Sequence, residues 1–146
     1  MLHTHLLYHI IFATKDRLPM IQKEWQADLH AYLGGIVKNL EGVPIEINGV
    51  SDHIHILVRL QPKIALSDFM RELKASSSGW IRRTHYAKFA WQARYGAFTV
   101  SESQVQIVRN YIKNQEKHHQ AKNFVDEYKD FLTTHKIDFE EKYLWN

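Results

Sequence analysis

The sequence predicts an α+β fold, a central sheet with helices packed on it. Three observations carry this. Short apolar and β-branched runs fall at residues 3–14, 43–48, 52–60 and 95–100, and stretches of helical periodicity lie between and after them. Two of these runs are consecutive and joined by a turn signal, as in a hairpin. No internal repeat, low-complexity tract or Pro/Ser-rich linker divides the 146 residues, so one domain over 1–146 is expected, with residues from about 120 onwards as a helical and acidic C-terminal extension.

Each element has its own signal. Residues 3–14 are rich in apolar, aromatic and β-branched side chains and read as a buried strand. Over residues 22–40, Trp25, Leu29, Tyr32, Leu33, Ile36 and Leu40 recur at helical spacing, although Gly34-Gly35 interrupts the second half. Residues 43–48 read as a strand, Asn48-Gly49 as the turn, and residues 52–60 as the returning strand. Ser67 fits the N-cap of a helix reaching about Tyr86 and carrying Phe69, Met70, Leu73 and Ile81. A loop from Phe89 leads to a strand over 95–100. Ser101 and Gln104 fit a capping box, which opens a helix to about His118. A last helix, about 122–134, precedes a polar tail. In that tail the acidic residues 138–141 make a poor DNA surface, and Phe139, Tyr143, Leu144 and Trp145 are its anchors.

Composition excludes several function classes. There is no cysteine, which removes disulfide scaffolds, cysteine zinc sites and thiol catalysis, and leaves His, carboxylate and amide oxygen as metal ligands. No apolar run approaches the roughly 20 residues of a membrane helix. The run over 6–13 lacks a basic leader and a small-residue cleavage site, so a cytoplasmic protein is expected. The net charge of +3 is unevenly spread. Residues 71–122 hold ten basic and three acidic side chains, whereas residues 123–146 hold three basic and six acidic. A basic segment of this kind suits a polyanion such as nucleic acid, or it is a solvated helix surface.

His53-Ile54-His55 is the first chemical constellation. Alternation on a strand sends both imidazoles to one face and Ile54, Ile56 and Val58 to the other. The pair is close enough to converge on one ion at about 2.1 Å, or else consists of two polar residues on a solvated face. His3-Thr4-His5 has the same spacing near the terminus and reads as frayed or structural. His118 and His119 are sequential on a helix and point about 100° apart, which disfavours a shared ion. On the same helix Val105, Val108 and Ile112 form an apolar stripe, and Ile107, Tyr111 and Gln115 form a neighbouring stripe at steps of four. Arg109, Lys113 and Lys117 flank Tyr111. Together these parts describe a phosphoryl-transfer site. A neutral phenol is a poor nucleophile and needs a phosphate already polarised by a Lewis acid. His53, His55 and the amide oxygen of Gln115 are neutral ligands that leave the full charge of a divalent cation to phosphate oxygens.

The chain resembles the HUH-type single-tyrosine transposases of small insertion sequences and their REP-associated relatives. The matching pieces are Tyr8-His9, Thr14-Lys15 and Arg17, the run Asp52-His53-Ile54-His55-Ile56-Leu57-Val58, Leu73-Lys74 with Ser76-Ser77-Ser78, Trp91-Gln92 with Tyr95, and Tyr111-Ile112-Lys113-Asn114-Gln115 with His118-His119. They run in family order over nearly the whole chain. The resemblance implies a ferredoxin-like fold with a central antiparallel sheet. It implies His53, His55 and Gln115 as ligands of Mg²⁺ or Mn²⁺, and Tyr111 as the nucleophile. It implies cleavage and rejoining of single-stranded DNA at hairpin-containing ends through a 5′-phosphotyrosine, by a homodimer acting at the nucleoid. Lys15, Arg17, Lys74, Arg82, Arg83 and Lys113 are the candidate DNA contacts. Trp91 and Tyr95 could stack on unpaired bases, with core packing as the stronger reading. The rivals are a non-catalytic or domesticated nucleic-acid-binding protein on the same fold, and a metal-dependent hydrolase that uses water. The hydrolase would need a carboxylate base, and Asp52 is expected on the other face of its strand.

Overall fold

A computed structural model describes residues 2–120, 122–140 and 144. Four strands form one antiparallel sheet in the order β2-β3-β1-β4. They are β1 Leu6–Ala13, β2 Val43–Val50, β3 His53–Leu60 and β4 Gly96–Thr99. Helix α1, Lys23–Asn39, joins β1 to β2, and α2, Leu66–Thr84, joins β3 to β4. This is the split βαβ arrangement of a ferredoxin-like fold. Three further helices follow, α3 Val105–Lys113, α4 Gln115–His119 and α5 Phe124–Thr134.

β1 is a central strand covered on both faces, which is why its sequence is continuously apolar rather than alternating. Ile10 and Phe12 enter the larger core, with Ile54, Ile56 and Val58 of β3, Trp25, Leu29 and Leu33 of α1, and Phe69 and Leu73 of α2. Ile11 and Ala13 point the other way, into a smaller core with Phe98, Phe124 and Leu132, against which Tyr128, Phe131 and Leu144 pack. The register pairs Ile11 with His55 and Ala13 with His53, so both histidines lie on this second face.

Several boundaries differ from expectation for local reasons. β1 begins at Leu6, because His5 turns out to pair with Glu102 at 2.5 Å. Gly34-Gly35 does not break α1. Asn48-Gly49 is strand, and the two-residue turn is Ser51-Asp52, since Val50 pairs with His53. A Cβ at Gly49 would stand 2.3 Å from the His53 carbonyl oxygen, so this glycine serves close backbone approach. The Asn48 amide donates to the carbonyls of Ile112 (2.9 Å) and Lys113 (3.0 Å), which the end of α3 leaves without helical partners. Helix α2 begins at Leu66 behind Ala65, and Ser67 lies inside it rather than capping it. Ser101 bonds to Ser103 (3.1 Å) ahead of a 3-10 turn at Glu102–Gln104, and no capping box forms. The helix expected to reach His118 is broken at Asn114 (φ −101°, ψ 23°) into α3 and α4. Asn123 caps α5, accepting from the Asp126 N–H at 2.9 Å.

In the tail, Leu144 packs on the smaller core and Phe139 is exposed. Tyr143, Trp145 and Glu141 lie outside the described residues.

His30 on α1 leaves its Nε2 buried and unpartnered among the described residues, and burial pushes its pKa down to about 4. Between that value and the unfolded value near 6.5 the unfolded chain holds more protons. Stability is therefore lost as pH falls through this window. In urea melts at pH 7 and pH 4.5, His30→Leu should reduce the acid loss of stability by about 2 kcal/mol, discounted for partial exposure.

Candidate functional site

The second face of the sheet carries the candidate site beneath α3, α4 and α5. β3 presents His53 and His55 there, both fully buried. They are not on a solvated strand face, because the C-terminal helices cover it. Each imidazole is oriented from behind. Nδ1 of His53 lies 2.7 Å from the Asp52 carboxylate and Nδ1 of His55 lies 2.8 Å from Nε2 of His9. Asp52 thus turns toward the site and not away from it, because it sits in the hairpin turn where strand alternation no longer applies. With Nδ1 engaged, Nε2 of each ring faces the same space. This is the orienting arrangement typical of ligand histidines.

Gln115 opens α4, is fully buried, and places its Oε1 3.4 Å from Nε2 of His53. Tyr111 is half-buried one turn earlier, on the near side of the break at Asn114, with its ring 5.8 Å from that of His55 in the same chain. The break re-aims the following turn, so His118 and His119 both reach the site, contrary to the expectation from an unbroken helix. Their meeting point is Glu127 of α5, 2% exposed. Its Oε1 lies 3.1 Å from Nε2 of His55, 3.2 Å from Nε2 of His119 and 3.7 Å from Nε2 of His53. Its Oε2 accepts the Tyr111 hydroxyl and lies 3.4 Å from Nε2 of His118.

Sequence reasoning missed Glu127. Its signal was present, since Phe124, Tyr128, Phe131 and Leu132 define an inward stripe on α5 and Glu127 falls within it.

Burial controls the protonation of this cluster. It lowers His55 well below the usual histidine value, helped by the neighbouring His9, His53, His119 and His118. It also lowers His9 to about 3, with a contribution from His135, and His119 to about 4, mainly by burial with His53 and His118 adding to it. Glu127 is raised to about 8 by burial and by the charge of Asp52. Nε2 of His53, His55 and His119 and an oxygen of Glu127 all lie within 4.8 Å of one another. Donors around one ion at about 2.1 Å stand roughly 3–4 Å apart, so the cluster has the residue types to hold a metal and would tighten around it. A cavity of about 230 Å³ opens beside Tyr111, His118 and Glu127.

The candidate DNA contacts do not form one patch. Lys113 ends α3 on the site's face, exposed and 4.0 Å from Glu46. Lys15 and Arg17 lie on a 3-10 turn after β1, exposed and half-buried respectively. Lys74, Arg82 and Arg83 belong to α2, on the opposite face of the sheet. Arg82 and Arg83 are exposed, and Arg82 donates to the Phe89 carbonyl at 3.2 Å. Lys74 donates to the carbonyls of Gln92 (2.9 Å) and Arg94 (2.8 Å), and burial lowers its pKa to about 8. Trp91 is core, stacked edge-on against Phe12 and Phe89 and donating to Ser77 at 2.9 Å. Tyr95 packs partly on the same core. Among the described residues no helix is long and apolar enough to cross a membrane.

The split βαβ sheet thus carries a buried histidine pair beside a tyrosine-bearing helix. The family described as Transposase IS200 like matches residues 3–115, and the chain belongs to that family of transposases. It is 31% identical over 119 residues to the transposase for insertion sequence element IS200 of Salmonella typhimurium, covering 74% of this chain and 75% of that one. It is 28% identical over 119 residues to the ISDra2 transposase TnpA of Deinococcus radiodurans, covering 75% and 84%. The structure of a REP-associated tyrosine transposase bound to a REP hairpin shares the fold, with a TM-score of 0.62 and 13% identity over 82% of this chain and 73% of that one.

Proposed function

We propose that this transposase cleaves and rejoins single-stranded DNA at hairpin-containing ends, with Tyr111 as nucleophile and a divalent metal, Mg²⁺ or Mn²⁺, held by His53, His55 and Gln115. The observation that carries the reading is that Nε2 of His53 faces the Gln115 amide oxygen at 3.4 Å, while Nε2 of both histidines and the Tyr111 hydroxyl all reach the Glu127 carboxylate beside it. When bound, the metal supplies Lewis-acid polarisation of the scissile phosphate. Tyr111 oxygen attacks phosphorus, the P–O3′ bond breaks, and the proton lost by the phenol is balanced by the one gained at the released 3′-hydroxyl. The product is a 5′-phosphotyrosine that retains the energy of the broken phosphodiester, and a 3′-hydroxyl can later reverse the exchange. Asp52 and His9 hold the two imidazoles in one tautomer.

Tyr111 stands beside the His55 of its own chain. DNA hairpin binding is supported by the hairpin-bound neighbour of the same fold, and Lys15, Arg17, Lys74, Arg82, Arg83 and Lys113 are the cations offered to phosphates. A homodimer acting at the nucleoid completes the reading. A water-using hydrolase gains one favourable observation, since Glu127 places a carboxylate in the site. The two separate on a denaturing gel. Labelled hairpin oligonucleotides from the flanks of the gene, incubated with Mn²⁺, should yield a labelled band at protein size. That band should disappear when EDTA removes the metal. Cleavage with no such band would favour the hydrolase and reject Tyr111 as nucleophile.

A further inference from the structure

Glu127 lies on α5, beyond the residues 3–115 that the family matches. Its burial is costly, because a carboxyl group taken out of water loses its hydration and must find polar partners inside. Helix α5 nevertheless places it where the spacing of Phe124, Tyr128, Phe131 and Leu132 calls for an apolar side chain. Among the described residues, the nitrogens that face it in ion-pair range are imidazoles, from His53, His55, His118 and His119. Nδ1 of His53 is engaged from behind by Asp52 and Nδ1 of His55 by His9, which turns Nε2 of each ring toward Glu127. Such a ring of nitrogens with a carboxylate at its centre matches the donor set of a divalent transition metal.

We propose that Glu127 is an anionic ligand of the metal at His53 and His55, so that α5 closes the metal centre. This rests on the metal reading given above. Oε1 has the separations expected of a neighbouring donor around one ion, 3.1 Å from Nε2 of His55 and 3.2 Å from Nε2 of His119. Oε2 holds the Tyr111 hydroxyl. One carboxylate therefore spans the metal position and the nucleophile, and sets the distance between them by its own width. A carboxylate also changes the charge of the centre. With His53, His55 and Gln115 alone a divalent ion keeps its full +2, and with Glu127 the centre carries +1. The site then retains its metal before any phosphate arrives.

The test is Mn²⁺ binding to the purified full chain, followed by the EPR signal of free Mn²⁺. The wild type should bind and His53→Ala should lose binding. Glu127→Gln, which keeps the shape of the side chain but removes its charge and one of its two acceptor oxygens, should bind at least tenfold more weakly. A second measurement needs no variant. In protein labelled with ¹³C-glutamate, ENDOR of the bound Mn²⁺ should show the coupling of a directly attached carboxylate. If the wild type binds no Mn²⁺, the metal reading falls and this proposal falls with it. If His53→Ala loses binding while Glu127→Gln keeps wild-type affinity, or if the ¹³C coupling is absent, the proposal alone is overturned.

Discussion

Tyr111→Phe should bind hairpin DNA as tightly as the wild type and form no covalent complex with it. Phenylalanine preserves the ring contacts of this position, with His55 at 5.8 Å, His118 at 4.9 Å and Phe131 at 5.8 Å between centroids. It removes the hydroxyl and its hydrogen bond to Glu127. Loss of an obligatory nucleophile should lower cleavage by at least ~10⁴-fold. The same loss should cost about 0.5–1.5 kcal/mol of stability, the net worth of a typical intramolecular hydrogen bond. Cleavage rates on a gel and urea melts measure the two effects separately. Cleavage at an unchanged rate would remove Tyr111 from the mechanism.

His53→Ala is the second large effect. Its ring stacks on Phe124 at 4.0 Å and 16°, and its two nitrogens face Asp52 and the Glu127–Gln115 pair. Truncation removes one metal donor and leaves a void between β3 and α5. We expect cleavage to fall by ~10³-fold or more at limiting Mn²⁺, because an unpolarised phosphate resists a phenol nucleophile. We expect a stability cost of about 2–3 kcal/mol from the cavity, so the protein should remain folded by circular dichroism. Full activity of the variant at limiting Mn²⁺ would contradict the role of this histidine.

The fold was largely legible because its signals are periodic. The alternation in Asp52-His53-Ile54-His55 placed both histidines on one face, and the register with β1 bears that out. The spacing of Trp25, Leu29, Leu33 and Ile36 located α1. Errors clustered where a residue has two physical uses. Asn48-Gly49 has turn composition, but its amide serves α3 and its missing Cβ admits the His53 carbonyl. Ser101 and Gln104 have capping spacing, but the chain makes a 3-10 turn there. At the site, the four residues Tyr111, Gln115, His53 and His55 were visible as a pattern. The roles of Glu127 and His119 were not, because they depend on the break at Asn114 and on how α5 crosses the sheet, neither of which a linear period encodes.

The cluster also has an order of assembly in time. His9 and His55, in contact, are 46 residues apart, and His55 and Glu127 are 72 apart. Contacts of such separation form late, after local helices and hairpins. During synthesis the N-terminal portion folds first. The sheet is complete with β4 at Thr99, so it can close before α5 brings Glu127 onto it. A nascent chain of this transposase therefore has its histidine pair in place before the carboxylate that joins them to Tyr111. The unfinished enzyme passes through translation without a complete centre.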